Sequence, residues 1–138
     1  MKEWVILHME DLRSTKYESR KISSFTDLRV WKSGHRFVVD IYGVTKSFPK
    51  EEMFGLTSQI RRAAVSFTSN IAEGFSRFSK KEKIQFYFIS LGSLTELQNQ
   101  LLIARDIEYI DKGVFDKLAQ DTVSLSKMIN GLIKTSRS

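Results

Sequence analysis

A single proline, Pro49, interrupts 138 residues, and from Asp27 onward the apolar positions recur at helical spacing. A chain with so few breakers and no sustained alternation of apolar and polar residues is committed to helices. Four amphipathic stretches follow one another. The first, about 27–46, carries a seam of Leu28, Trp31, His35, Val38, Tyr42 and Thr45, with Phe37, Ile41, Val44 and Phe48 as a second row beside it. An apolar face that wide predicts burial against more than one neighbour. Ser47–Glu52 punctuates the chain. Proline suits a first helical turn, and Glu51 and Glu52 suit the positive end of a helix dipole.

The second helix is expected over about 50–73, with Leu56, Ile60, Ala63, Ala64, Phe67 and Ile71 inward. Alanines at 63, 64 and 72 admit a close neighbour, and Gly74 is placed to end the helix in a left-handed conformation. Ser79-Lys80-Lys81-Glu82 has the pattern of a capping box and opens a third helix to about Tyr109. Its apolar residues, among them Phe88, Ile89, Leu94, Leu97, Leu102 and Ile103, lie around much of its circumference, as in a central helix or one shared with another subunit. After Asp111-Lys112-Gly113, a fourth helix over about 113–134 repeats Phe115, Leu118, Thr122, Leu125, Ile129 and Leu132 in a coiled-coil-like seam.

Four helices with short connections predict an all-α fold, an antiparallel up-down-up-down four-helix bundle filling residues 25–138. Residues 1–24, mixed in charge, read as an N-terminal extension, poorly ordered or peripheral, with Met9 as an alternative start. Its apolar run Trp4–Leu7 is too short for a signal-peptide core, and no run approaches the roughly 20 residues of a membrane span, so a cytoplasmic location is expected.

Catalytic chemistry is thin. Without cysteine there are no disulfides, thiolate metal sites or thiol nucleophiles. The two histidines are His8, in the extension, and His35, on a helical seam where a packed or surface role is expected. No Glu-x-x-His pair, P-loop or Gly-x-Gly-x-x-Gly occurs, and Gly92-Ser93-Leu94 falls mid-helix, away from any strand-to-helix elbow. No enzyme activity, cofactor or metal is expected.

Charge is more informative. The chain carries a net +6, which points to polyanions. Between Ile60 and Lys83, Arg61, Arg62, Arg77, Lys80, Lys81 and Lys83 face only two acids, Glu73 and Glu82. These six are the candidates for phosphate contacts. Phe75 and Phe78 interleave with them. Phe75 is expected to plug the bundle end, and Phe78 is open between that role and stacking on a base. Gln59, Arg62, Ser66, Asn70, Glu73 and Arg77 form a polar stripe on the same helix. Spacing alone makes it a solvated face, but Ser66 and Asn70 are mediocre helix formers that make more sense across a contact. Ala63, Ala64, Ser66, Asn70 and Glu73 are therefore candidates for helix packing or oligomer contacts.

The segment Gly55-Leu56-Thr57-Ser58-Gln59-Ile60-Arg61-Arg62-Ala63-Ala64-Val65-Ser66, followed by Ser69-Asn70-Ile71-Ala72-Glu73-Gly74, resembles the signature of the bacterial four-helix bundle family that includes proteins encoded in intervening sequences of 23S ribosomal RNA genes. Phe25-Thr26-Asp27-Leu28, Lys46–Glu52 and Leu91-Gly92-Ser93-Leu94 extend the likeness over about 25–134. Phe67-Thr68 departs from it, where the family commonly has a smaller aliphatic residue and a proline. The resemblance implies a ring-like homopentamer. It also implies kinship to the accessory variability factor of diversity-generating retroelements, which binds a reverse transcriptase and nucleic acid. Members have been labelled ribosomal proteins from the location of their genes.

Together these readings lead to a non-enzymatic, oligomeric bundle that binds RNA or DNA through its basic surface. The alternative is a protein-interaction scaffold that docks a partner such as a polymerase without touching nucleic acid.

Overall fold

The computed structural model describes residues 21–138, so the expected N-terminal extension lies outside the described residues up to position 20. A 3-10 turn at Phe25–Asp27 leads into α1 (Arg29–Thr45), and a second at Lys50–Glu52 precedes α2 (Leu56–Ser76). Helices α3 (Lys80–Asp106) and α4 (Lys112–Arg137) complete the fold. The four pack as an antiparallel bundle. The α2–α3 contact is the most extensive, followed by α3–α4 and α1–α2, while α1 against α4 closes the ring. No described helix is long and apolar enough to cross a membrane.

The core is drawn from one stripe of each helix. Helix α1 buries Val30, Gly34, Phe37, Ile41 and Thr45. The expected second row is thus the inner one. The expected seam stays buried at its ends, Leu28 and Thr45, and turns outward between them at His35 and Tyr42, where Gly34 lets α1 lie directly on Phe67 and Thr68 of α2. Helix α2 buries Thr57, Ile60, Ala63, Ala64, Phe67, Thr68, Ile71 and Gly74, close to expectation. Helix α4 buries Leu118, Thr122, Leu125, Ile129 and Ile133. Helix α3 turns Tyr87, Leu94, Leu97, Leu101 and Ala104 inward and leaves Phe88, Ile89, Leu102 and Ile103 about half exposed.

Three boundaries differ from the sequence reading, each for a local reason. Pro49 and the two glutamates form a 3-10 turn of their own, and α2 begins only after Gly55. Gly74 lies inside α2, not at a left-handed cap, and no described glycine has a positive φ. Its service is proximity: a Cβ there would meet Tyr87 Cε1 at 2.7 Å and Phe86 Cβ at 3.0 Å. Helix α3 stops at Asp106, and the left-handed residue is Glu108, at φ 64°. The Glu108 N–H donates to the Arg105 carbonyl (3.0 Å) and the Tyr109 N–H to the Ala104 carbonyl (2.8 Å), which together make a Schellman ending.

Helices α3 and α4 are capped as their residue types suggest, whereas α1 and α2 start at Leu28 and Gly55 without a side-chain cap. Ser79 Oγ accepts the Glu82 N–H at 3.1 Å, supplying the hydroxyl half of the expected capping box. Asp111 caps α4 through the Val114 N–H at 2.8 Å. Before α1, Ser24 and Asp27 form a complete capping box. Burial raises the Asp27 carboxyl, but N–H and O–H bonds from Ser23 and Ser24 outweigh it and hold the group below the ordinary carboxylate range.

Candidate functional site

An up-down-up-down bundle gathers the start of α1, the α2–α3 connector and the end of α4 at one end. Eight basic side chains meet there: Arg29, Lys32, Arg77, Lys80, Lys81, Lys83, Lys134 and Arg137. Among the described residues, Asp27, Glu73 and Glu82 oppose them. At the other end the balance reverses, with Glu51, Glu52, Asp106, Glu108, Asp111 and Asp116 outnumbering Lys46, Lys50, Arg105 and Lys112. The described residues therefore form a basic end and a mildly acidic end.

The six candidate phosphate ligands do not form one patch. Arg61 and Arg62 lie about fifteen residues before Arg77, roughly 20 Å down the α2 axis. Arg61 is occupied in packing. Its Nε donates to Thr45 Oγ1 at 2.8 Å and its guanidinium rests 4.6 Å from the Tyr42 ring centroid, tying α2 to α1. Arg62 is exposed and makes no hydrogen bond or ion pair among the described residues.

The other four candidates lie at the basic end. Lys83 Nζ donates to the Phe75 carbonyl at 2.6 Å, filling one of the orphan carbonyls at the α2 terminus, and sits 5.2 Å from the Phe75 ring. Arg77 pairs with Glu73 at 3.2 Å and lies 4.7 Å over Phe86. Lys80 Nζ donates to the Ser138 carbonyl, so the start of α3 meets the end of α4. Lys81 is exposed and makes no hydrogen bond or ion pair among the described residues. Arg137, which the sequence reading left out, lies 5.7 Å from the Phe88 ring, and Lys134 is exposed beside it. Charge counting within one sequence window missed both, since only the topology returns α4 to this end.

The two phenylalanines of the connector part company. Phe75 packs against the core, as expected of a plug. Phe78 is fully exposed.

The candidate packing residues are also sorted. Ala63 and Ala64 are buried between helices. Ser66 and Asn70 are half-buried and satisfied within the chain: Ser66 Oγ lies 2.8 Å from Ser93 Oγ, and Asn70 Nδ2 donates to the Ser66 carbonyl at 2.8 Å. Glu73 is exposed, engaged only with Arg77. Ser90, fully buried, donates to the Phe67 carbonyl at 2.7 Å. Ser90 and Ser93 went unremarked as partners, although both fall on the α3 stripe that also carries Leu94 and Leu97.

On the outer side of α2 near its start is an open cleft of about 900 Å³, lined by Tyr42, Met53, Thr57, Arg61, Arg62, Ser66 and Glu96 among others. Thr57 Oγ1 is buried there without a hydrogen-bond partner. Nothing in the cleft has the arrangement of a nucleophile with a base. His35 is exposed and stacks on Trp31 at 4.8 Å. Among the described residues no group of His, Cys, Asp and Glu side chains is arranged to hold a metal ion.

Residues 26–131 match the family model of the 23S rRNA-intervening sequence protein. Among solved structures, the chain is similar to a protein of unknown function from the S23 ribosomal protein family of Bacteroides thetaiotaomicron. The two share 24% identity and a TM-score of 0.71, over 76% of this chain and 98% of that one. That likeness speaks to the fold. No curated protein is significantly similar to the chain.

Proposed function

The chain belongs to the 23S rRNA-intervening sequence protein family, and we propose that it is a non-enzymatic, self-associating helical bundle that binds nucleic acid through the basic end. The observation that carries the reading is the charge segregation. Eight bases against three acids converge where α1 begins, α2 meets α3 and α4 ends. Arg77, Lys80, Lys81, Lys134 and Arg137 are the phosphate ligands in this reading, while Arg61 and Lys83 serve the bundle itself. Self-association, as the ring-like homopentamer the family resemblance implies, is supported by the exposed apolar side chains of α3, Phe88, Ile89, Leu102 and Ile103.

The test is a filter-binding titration across salt, with RNA and DNA. Five phosphate contacts predict a log–log slope of about −3.5 on a single strand and about −4.5 on a duplex. Changing the five bases to alanine should abolish binding. Salt-independent binding, or full binding by the alanine variant, defeats the proposal. Light scattering that gives a stable 16.0 kDa chain at micromolar concentration defeats the self-association.

A second reading, a scaffold that docks a protein such as a polymerase, draws on the cleft beside α2. Arg62, Glu96 and exposed Met53 and Tyr42 make a mixed polar and apolar surface there, suited to a protein partner. Capture of a partner from native lysate that survives nuclease favours this reading. Capture lost to nuclease favours the first.

A further inference from the structure

We propose that the basic end takes a single strand in preference to a duplex, with Phe78 as the platform on which one unpaired base stacks. The inference rests on the nucleic-acid reading above and names the form of its ligand.

The connector between α2 and α3 has three residues, and the side chains of the outer two are directed back onto the helices. Arg77 lies back over Phe86 and onto Glu73. Ser79 turns inward to cap α3. Both have extended backbone, with ψ of 151° and 145°. The chain bends at Phe78 between them, and the Phe78 side chain stands fully exposed. The core does not need it: Phe75 packs against the core, and Tyr87 is buried against Gly74. A three-residue link thus presents a whole aromatic ring to solvent among the basic residues of this end.

Phosphates alone would be served by the cations without an aromatic. A ring of this kind adds binding only to a partner with an apolar flat face of its own. In a duplex the base faces are occupied by their neighbours, and a side chain outside the helix meets sugar and phosphate. A single strand offers faces, and every base has one, so the platform tolerates sequence. Arg77, Lys80 and Lys81 are the immediate sequence neighbours of the ring and its cap, placing charge for the flanking phosphates beside the stacked base.

The test is fluorescence anisotropy with the full chain and three probes of equal length: a homopyrimidine RNA, the corresponding DNA strand and a blunt DNA duplex. Wild type should bind both single strands more tightly than the duplex, and the ratio between the two strands tells RNA from DNA. Phe78→Ala should weaken single-strand binding by about 5- to 150-fold, the range for one stacked base. Duplex binding should change less than about twofold, and the salt slope should not change, since no phosphate contact is lost. Phe78→Trp should restore single-strand affinity. Equal weakening on all three probes, no weakening on single strands, or a changed oligomeric mass with Phe78→Ala overturns the inference while leaving the basic end as a binding surface. Failure of wild type to bind any probe overturns both.

Discussion

Gly74→Ala and Gly92→Ala are the same substitution in the interior of two helices of one bundle, and the structure gives them opposite signs. In a helix interior, alanine is favoured over glycine by about 1 kcal/mol. A Cβ at Gly92 meets nothing within 4 Å, so Gly92→Ala should collect that gain and raise the melting temperature by about 3 °C for a chain of this length. At Gly74 the new carbon would stand 2.7 Å from Tyr87 Cε1 and 2.9 Å from Cδ1, roughly 1 Å inside ordinary contact. The Tyr87 ring is 2% exposed, and the third close atom is the Phe86 Cβ, fixed to the α3 backbone. Relief therefore requires α3 to move. Overpacking of this kind costs about 1–3 kcal/mol, which offsets the propensity gain and leaves a net loss of about 0–2. The gap between the two variants should be about 1–3 kcal/mol. Urea or thermal unfolding at one fixed protein concentration measures it, since assembly makes the midpoint concentration-dependent. A double-mutant cycle with Tyr87→Leu, which removes the obstructing ring, should recover about 1 kcal/mol of the Gly74→Ala loss. Equal stabilisation by both variants would show that α2 and α3 are not in the close contact described here.

Three further outcomes follow from single positions. Glu108→Gly should stabilise the chain by about 1 kcal/mol in equilibrium unfolding, because glycine relieves the left-handed strain at the end of α3 and removes an acid from the negative end of its dipole. Arg61→Ala should cost about 1 kcal/mol by breaking the tie to Thr45 yet change nucleic-acid affinity less than twofold in the anisotropy assay, and a large affinity loss would return Arg61 to the binding surface. The Asp27 carboxyl titrates below its unfolded value, so its contribution is full above the unfolded pKa near 3.8 and is lost as pH falls through the lower folded value. Acid unfolding of Asp27→Asn should accordingly be flatter below pH 4 than that of wild type, and an unchanged acid limb would remove Asp27 from the account.

Helix identity was legible because it depends on local spacing and on the near absence of proline. The inner face of α2 was legible for the same reason, with Ile60, Ala63, Ala64, Phe67 and Ile71 all where the period puts them. The face of α1 was not, since two apolar rows lay side by side and only Gly34 against Phe67 decides between them. Gly74 and Glu108 show the limit from the other side. Glycine after a helical run ordinarily marks a left-handed end, but here a neighbouring helix needs the space. The left-handed position falls instead on a glutamate that nothing in its composition marks. The candidate site was half legible. The lysines and the arginine after α2 belong to the basic end, whereas Arg61 differs from Arg62 only in the neighbour it meets, and Arg137 joins the site across the bundle.

The packing of α2 on α3 also bears on what the connector can do. Ala63, Ala64 and Gly74 are small, Ser90 bonds the α2 backbone, and Ser66 bonds Ser93. A helix pair built of small residues and direct hydrogen bonds has little freedom to slide. Its connector is then anchored on both sides, by Lys83 on the Phe75 carbonyl at the end of α2 and by the Ser79 cap at the start of α3. The backbone that carries Phe78 is therefore fixed at both ends, and in the proposed stacking the ordering cost is left to the exposed ring's own rotamers and to the nucleic acid. In the proposed stacking, the α2–α3 contact positions the backbone that carries the exposed ring, so variants that loosen α2 from α3, such as Gly74→Ala, should weaken single-strand binding as well as stability, while Gly92→Ala should leave that binding unchanged.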